Sequence, residues 1–166
     1  MAMQYDVKSA HMSASGVAVT YRTRLKGAIV SANASAAARN TVYANNLAQT
    51  GTYGRSTNTV TVTITAHGLA TGDRVWLSFS AGTGGTATTN VYAVTVSNAN
   101  TFTVTDTASG TITGSPAVTM YADILMEADS YNATAFPVVI PGEGILAENG
   151  IYVGLVSNVT TTIFYG

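Results

Sequence analysis

The sequence predicts an all-β protein: an outer, jelly-roll-like β-sandwich formed by both termini, with a small β-barrel inserted between them. Three observations carry this. Thr and small apolar residues alternate in short runs, clearest at Thr59-Val-Thr-Val-Thr-Ile-Thr65, Asn90-Val-Tyr-Ala-Val-Thr-Val96 and Thr101-Phe-Thr-Val-Thr105. Period-two alternation between Gly and Asn turns marks strands with one buried face. Hydrophobic residues make up 46% of the 166-residue chain and charged residues only 9%, against about a quarter in ordinary soluble domains. There is ample apolar material for a core, disorder is disfavoured, and polar solubility has to come from Thr, Ser and Asn.

The third observation is how the charges are placed. Residues 1–55 carry Lys8, Arg22, Arg24, Lys26, Arg39 and Arg55 against Asp6 alone. Residues 56–121 carry Arg74 against Asp73 and Asp106, and residues 122–166 carry Asp123, Glu127, Asp129, Glu143 and Glu148 with no base. Complementary ends around a nearly neutral middle are what a split domain leaves. Residues 1–55 with 122–166 are therefore assigned to the sandwich and 56–121 to the inserted barrel. Insertions are tolerated at loop tips where the host's ends stay close. Exposed pairs between the two outer halves would each contribute roughly 0.2–1 kcal/mol. The alternative is that both charged halves face other subunits.

Along the chain, residues 17–31 read as one extended run. Alternation would put Arg22, Arg24 and Lys26 on one face, with Tyr21, Thr23 and Leu25 on the other. Gly27 permits a bend before residues 28–30. Residues 33–38 suit a turn or a single helical turn, and 39–44 a strand. The Ala content of 35–48 favours a helix that Asn40, Thr41, Val42, Asn45 and Asn46 oppose. Residues 49–54 read as a Gly-punctuated linker. The middle block then supplies five or six short strands, with turns at 66–73, 80–86 and 97–100, as expected of a small barrel or sandwich. In the last segment, residues 135–141 form a strand that Pro137 and Pro141 confine to an edge or keep short. Residues 142–144 turn, 145–156 form a hairpin, and 160–166 make a terminal strand.

Few chemistries are open to these residues. With no Cys, disulfides, thiolate nucleophiles and zinc–thiolate sites are excluded. A net charge of −1 and a pI near 6.0 give no global attraction to nucleic acid or anionic membrane. The first residues lack a basic start followed by an apolar run, and no apolar stretch reaches membrane-spanning length. Synthesis in a cytoplasm is the expectation. The Asn-x-Ser/Thr triplets at Asn33, Asn132 and Asn158 are expected by chance in so Asn- and Thr-rich a chain.

His67 and Asp73, with Ser78 or Ser80, offer the residue types of a hydrolytic triad. The structural account is stronger: His67, Gly68, Gly72 and Asp73 build a turn, with Gly supplying conformations and the polar pair bonding backbone. His11 is far from His67 in sequence, and no metal-ligand spacing appears. Asp123, Glu127 and Asp129 share a face if their strand is regular, which suits Ca²⁺ or, as preferred here, a solvated or subunit-facing acidic edge. The 80–86 loop lacks the Lys of a phosphate loop and no helix follows it. Glu143 and Glu148 sit among Gly turns without a clustered aromatic sugar platform. The row Arg22/Arg24/Lys26 gives only weak, salt-sensitive affinity for phosphates. An acidic protein surface, or the acidic C-terminal strand, is its preferred partner. No catalytic residue, cofactor or metal is assigned.

Two blocks resemble known families. His67-Gly-Leu-Ala-Thr-Gly-Asp-Arg-Val75, Val91-Tyr-Ala-Val-Thr-Val96 and Asn100-Thr-Phe-Thr-Val104 resemble small β-barrel repeats of phage virion proteins. That pattern is similar to the first-catalytic-cysteine half-domain insert of ubiquitin-activating enzymes. The resemblance implies a barrel and not ubiquitin chemistry. The outer part, through Arg24-Leu-Lys-Gly-Ala-Ile-Val30, Asn40-Thr-Val-Tyr43, Ile140-Pro-Gly-Glu-Gly-Ile-Leu146, Gly150-Ile-Tyr-Val153 and Thr162-Ile-Phe-Tyr-Gly166, resembles small β-sandwich virion proteins of tailed phages, notably of marine and cyanobacterial viruses.

The resemblance implies a virion component made in the host cytoplasm, a capsid decoration or cement protein and not an enzyme. Its partners would be the major capsid protein or other virion subunits and copies of itself, with no nucleic acid or membrane. Arg22, Arg24 and Lys26 on one side, and Asp123, Glu127 and Asp129 on the other, are the candidate assembly contacts. The barrel would be a display module. The alternative is a tail-fibre or tail-associated adhesin contacting host surface glycans.

Overall fold

The computed structural model describes residues 6–32, 41–129 and 134–166, and every regular element among them is a β-strand. Before the inserted block come β1 (Lys8–Met12), β2 (Gly16–Val19), β3 (Thr23–Ala32) and β4 (Thr41–Asn45). Within it are β5 (Ala48–Ser56), β6 (Thr59–Thr63), β7 (Arg74–Phe79), β8 (Asn90–Ala93), β9 (Thr95–Asn98), β10 (Thr101–Thr105) and β11 (Ala117–Tyr121). After it follow β12 (Ile124–Ala128), β13 (Ala135–Val139), β14 (Ile145–Ala147), β15 (Ile151–Gly154) and β16 (Val159–Tyr165). The strands sort into two units, Met1–Asn46 with Ile124–Gly166, and Leu47–Asp123.

In the first unit one sheet runs β1-β16-β3-β13, with β14 also on β3, and the other runs β12-β4-β15-β2. All pairings are antiparallel: β1 with β16, β2 with β15, β3 with β13 and β14, β4 with β12. These nested pairs are the rungs of one long hairpin whose successive rungs alternate between two sheets. Pairs β3–β16 and β4–β15 then stitch each sheet together. This is the jelly-roll arrangement. Its core is formed by Leu25, Val30, Tyr43, Ile151, Val153 and Ile163, all buried. Each such aliphatic side chain contributes about 1.5–3 kcal/mol. At the far end of the hairpin Ile124 lies opposite Ala44. The chain thus leaves and re-enters this unit at neighbouring points, and a second unit can be spliced in without breaking host pairing.

Several sequence expectations change here. The 17–31 run is not one strand: β2 and β3 belong to opposite sheets, and the chain crosses between them at Thr20, Tyr21 and Arg22. The 145–156 hairpin is likewise absent, because β14 pairs with β3 while β15 pairs with β4 and β2 in the other sheet. Pro137 does lie in the last strand of its sheet's path. Strand β1 had no anticipated counterpart. Residues 41–45 of the ambiguous 35–48 stretch are strand, buried on both faces. The expected turn at 33–38, with Arg39 and Asn40, lies outside the described residues.

In the second unit the hydrogen-bonded order is β8-β7-β11-β5-β6-β10-β9, all antiparallel. Its two ends are consecutive pieces of chain separated only by Val94. Val94 N–H donates to Asp73 O (3.0 Å) and Gly72 N–H donates to Val94 O (2.9 Å), extending the β7 side past the break. The stretch 90–98 is thus bonded to β7 by its first half and to β10 by its second, so the sheet returns on itself as a small barrel. Closure leaves little free edge. Val60, Val62, Leu77, Phe102, Ile112 and Met120 fill the interior.

The expected linker at 49–54 is the middle of β5, between β6 and β11. The barrel therefore starts at Leu47, not at residue 56, and Arg55 belongs to it. Gly51 is required by crowding: a Cβ there would come within 2.0 Å of Thr63 O.

Candidate functional site

Arg22, Arg24 and Lys26 do not form one face of a strand. Arg22 precedes β3, whereas along β3 the expected alternation holds, with Thr23 and Leu25 buried and Arg24 and Lys26 half-buried. The register shift that sets Phe164 opposite Gly27 and Tyr165 opposite Leu25 leaves Lys26 in a bulge against β16. Arg22 Nε donates to Glu148 Oε2 at 2.7 Å, with both side chains more than half exposed. Arg24 Nη1 donates to Gly144 O at 3.3 Å. Two of the three cations thus lean on the segment that carries Glu143 and Glu148. An exposed pair of this kind contributes at most about 1 kcal/mol.

Asp123, Glu127 and Asp129 do not share a regular strand face either. β12 carries a bulge between Ile124 and Met126, where two steps on β12 meet one on β4. Glu127 stays in register with Val42, but the bulge puts Asp123 out of step, and Asp123 ends the other unit. The cationic segment is in the β3 sheet and Glu127 in the β4 sheet. Among the described residues, no three His, Asp or Glu side chains gather as a metal-holding group.

The 66–73 turn is fully specified. His67 is buried, its Nδ1 accepts the Leu69 N–H (3.0 Å), and its Nε2 lies 3.0 Å from Asn98 O. One ring nitrogen must therefore be the acceptor and the other the donor, which is the neutral Nε2–H tautomer. The ring meets Phe102 edge-on, with centroids 5.2 Å apart. Asp73 Oδ2 accepts the Ala70 N–H at 2.8 Å, while Gly68 (φ 71°) and Gly72 (φ 101°) take left-handed conformations that favour Gly. Both ring nitrogens of His67 and Oδ2 of Asp73 are occupied by backbone. Neither is positioned by the other.

Sequence reasoning missed the most elaborate polar cluster. Arg55 on β5 and Asp106, just after β10, pair at 2.6 Å inside the barrel unit. Asp106 also accepts the N–H groups of Thr88 (3.1 Å) and Ala108 (3.2 Å), and Arg55 donates to Gly110 O and Ser109 O. Burial alone would raise the Asp106 pKa, but the bonds from Thr88, Ala108 and Arg55 outweigh it and hold the carboxyl below its ordinary value. Tyr92 Oη–H donates to Thr88 O beside it; burial first, then the Asp106 charge, push its pKa up. Both carboxylate oxygens of Asp106 and all three guanidinium nitrogens of Arg55 have a protein partner. The cluster is a staple that pins the 106–110 turn to β5. Its only sequence signal was that Arg55 and Asp106 are rare charges within apolar-alternating runs.

The barrel also carries a cleft of about 340 Å³, with Thr52, Gly54, Thr61 and Thr63 on one side and residues 113–115 on the other. Tyr53 also lines it, and the lining holds no Asp, Glu, Lys, Arg or His. In the sequence Thr59, Thr61 and Thr63 show only alternation and residues 49–54 look like a linker, so this concavity has no sequence signature.

No protein-family model, curated protein or solved structure matches the chain.

Proposed function

We propose that this chain is a structural protein of tailed-phage particles, a decoration or cement protein that docks on the head shell through its jelly-roll unit and carries the barrel as a display module. The observation that carries the reading is the jelly-roll strand order with a second β-unit spliced between β4 and β12. Jelly rolls recur in viral capsid proteins, and also in lectins and cupins. The strand order is thus an argument by analogy, strengthened by the low charge of the chain and by the sequence resemblance of both blocks to virion proteins. Polar groups that could do chemistry, His67, Asp73, Arg55 and Asp106, are engaged in holding turns.

In this reading many weak copies act together, so that avidity replaces single-contact strength. The cationic segment around Arg22 and Arg24 and the acidic edge at Glu127 and Asp129 are the proposed shell contacts. Cryo-electron microscopy of the particle, with mass spectrometry of its proteins, tests it. Density for this chain on the head lattice and a capsid that loses thermal stability without it support cementing. Density confined to the tail rejects the head assignment.

The second reading, a tail-associated adhesin module, is favoured by one feature, the uncharged cleft on the barrel.

A further inference from the structure

We propose that the barrel cleft is a binding site for a short, uncharged oligosaccharide. It supplies the site that the adhesin reading needs, and it stands independently of where the chain sits in a particle.

The cleft is built by a local exception in the sheet. Along β5, Arg55 exchanges hydrogen bonds with Ile112 (3.1 and 2.9 Å), and Tyr53 N–H donates to Pro116 O (3.0 Å). Between these two anchors Thr113, Gly114 and Ser115 have no place in the ladder and stand away from it. Thr113 is tied instead to Thr83 by a reciprocal pair of backbone bonds (3.1 and 2.9 Å), so the loop is a fixed wall. Gly114 (φ 88°) and Ser115 (φ 50°) both adopt left-handed backbone, which is uncommon for Ser. Such conformations persist where surrounding structure imposes them, often at ligand sites.

Facing this wall is a row of cross-strand partners, Thr52 opposite Thr63 and Gly54 opposite Thr61. Gly54 is the one position of the four without a side chain, and it opens the floor between the hydroxyls. Thr52, Thr61, Thr63, Thr113 and Ser115 are all exposed.

The chemistry of the ligand follows from this lining. With no charged side chain, a phosphate, carboxylate or ammonium group would be desolvated without a partner. Hydroxyls both donate and accept, so they complement a ligand that itself presents many hydroxyls. The volume falls at the small end of ligand sites, which span about 300–1,000 Å³. Tyr53 turns inward and donates to Ser80 O (2.6 Å), so it offers no stacking face. A single site should therefore bind in the millimolar range and gain strength only through many copies.

The test is a ¹H–¹⁵N titration of the full chain with lactose, maltose, cellobiose, mannobiose and diacetylchitobiose, with sialyllactose for comparison. Saturable shifts at Thr52, Gly54, Thr61, Thr63 and 113–115 with at least one neutral sugar are expected. Thr61→Val with Thr63→Val should weaken that binding about tenfold by removing two hydroxyls. Gly54→Val, which fills the floor, should do the same, and Thr105→Val, outside the cleft, should leave it unchanged. If Gly54→Val fails to fold, the double Thr variant carries the test. The proposal is overturned if no neutral sugar shifts these residues, if the variants bind as the parent does, or if sialyllactose binds more tightly than lactose. Particle location is read separately by microscopy, so either idea can fail alone.

Discussion

Arg55 Nη1 and Asp106 Oδ2 lie 2.6 Å apart with their side chains 6% and 0% exposed, the most water-excluded ion pair among the described residues. A buried pair of this kind is a strong constraint and a weak stabiliser, because desolvation offsets much of the attraction. Its value lies in which turn it fixes. Residues 106–110 are tied to β5 through Asp106 on one side and through Gly110 O and Ser109 O on the other.

Removing one partner strands the other charge. Arg55→Met is expected to destabilise the barrel unit by about 3–5 kcal/mol. Trp76, the single Trp of the chain, lies on β7 of that unit, so its fluorescence in a urea titration reads the change directly. Arg55→Met with Asp106→Ala should cost less than the two single changes summed. A loss under about 1 kcal/mol for Arg55→Met would show that the pair does not hold the turn.

The same carboxylate sets an acid limit. Its folded pKa is held below the ordinary 3.8, so the unfolded chain takes up the proton first as pH falls. The stabilisation is complete above the unfolded value and disappears as pH drops through the folded one. Asp106→Asn, which cannot titrate, should lose stability relative to the parent at pH 6, and the difference between the two should shrink below about pH 4. Urea midpoints followed by Trp76 fluorescence from neutral to acidic pH measure this. A gap that stays constant across that range would assign the acid sensitivity to another group.

Two glycines on β5 should behave oppositely. At Gly51 an added Cβ would meet Thr63 O at 2.0 Å and Ile64 Cγ1 at 2.6 Å, whereas at Gly54 the nearest atom is Ile112 O at 3.4 Å. Gly51→Ala is expected to cost about 1–3 kcal/mol or more by forcing β5 and β6 apart. Gly54→Ala should be neutral or slightly stabilising, since Ala loses less backbone freedom on folding. Thermal unfolding of the two variants decides, and equal midpoints would mean that the strands can separate freely at Gly51.

The exposed pair Arg22–Glu148, 2.7 Å apart, should matter little to stability. Glu148→Gln is expected to change the unfolding free energy by less than about 1 kcal/mol, with the difference vanishing at high salt. Calorimetry at low and high NaCl measures it. A large, salt-resistant loss would mark this pair as part of the fold's core.

What could be read from the sequence was what is local. β6 and β10 declared themselves because one-sided burial imposes period two, and their Val and Phe residues are the ones that point inward. The 66–73 turn was legible in part, since Asp73 and one ring nitrogen of His67 bond groups within it, whereas the other nitrogen meets Asn98 O, 31 residues away. The losses came where distant chain decides. Gln49 to Gly54 looks like a linker until Thr63 is known to press against Gly51. Arg22, Arg24 and Lys26 look like one face until Arg22 is seen to lie in the crossing between β2 and β3. β14 and β15 are close in sequence, yet they go to different sheets because jelly-roll rungs alternate. Arg55 and Asp106 are 51 residues apart, and nothing local to either one signals its partner.

In the sandwich unit the corresponding limit is alkaline. Tyr43 is wholly buried on β4, and its Oη lies 2.6 Å from Thr161 Oγ1. Thr161 spends its own proton on Ile29 O (3.0 Å), so Tyr43 is the donor. Burial pushes its pKa to about 12, against a smaller opposing effect of the Thr161 bond. A tyrosine raised above its unfolded value near 10.0 stabilises fully below that value and progressively less as pH climbs toward about 12, because only the unfolded chain ionises in that window. The sandwich should therefore weaken between these limits. Tyr43→Phe removes the titration and one hydrogen bond, for about 0.5–1.5 kcal/mol at neutral pH, and should flatten the alkaline limb. Stopped-flow tyrosinate absorbance, combined with urea midpoints at stepped alkaline pH, separates slow ionisation of a buried tyrosine from fast ionisation of exposed ones. If Tyr43→Phe leaves both the slow phase and the alkaline slope unchanged, another group controls base unfolding of this unit.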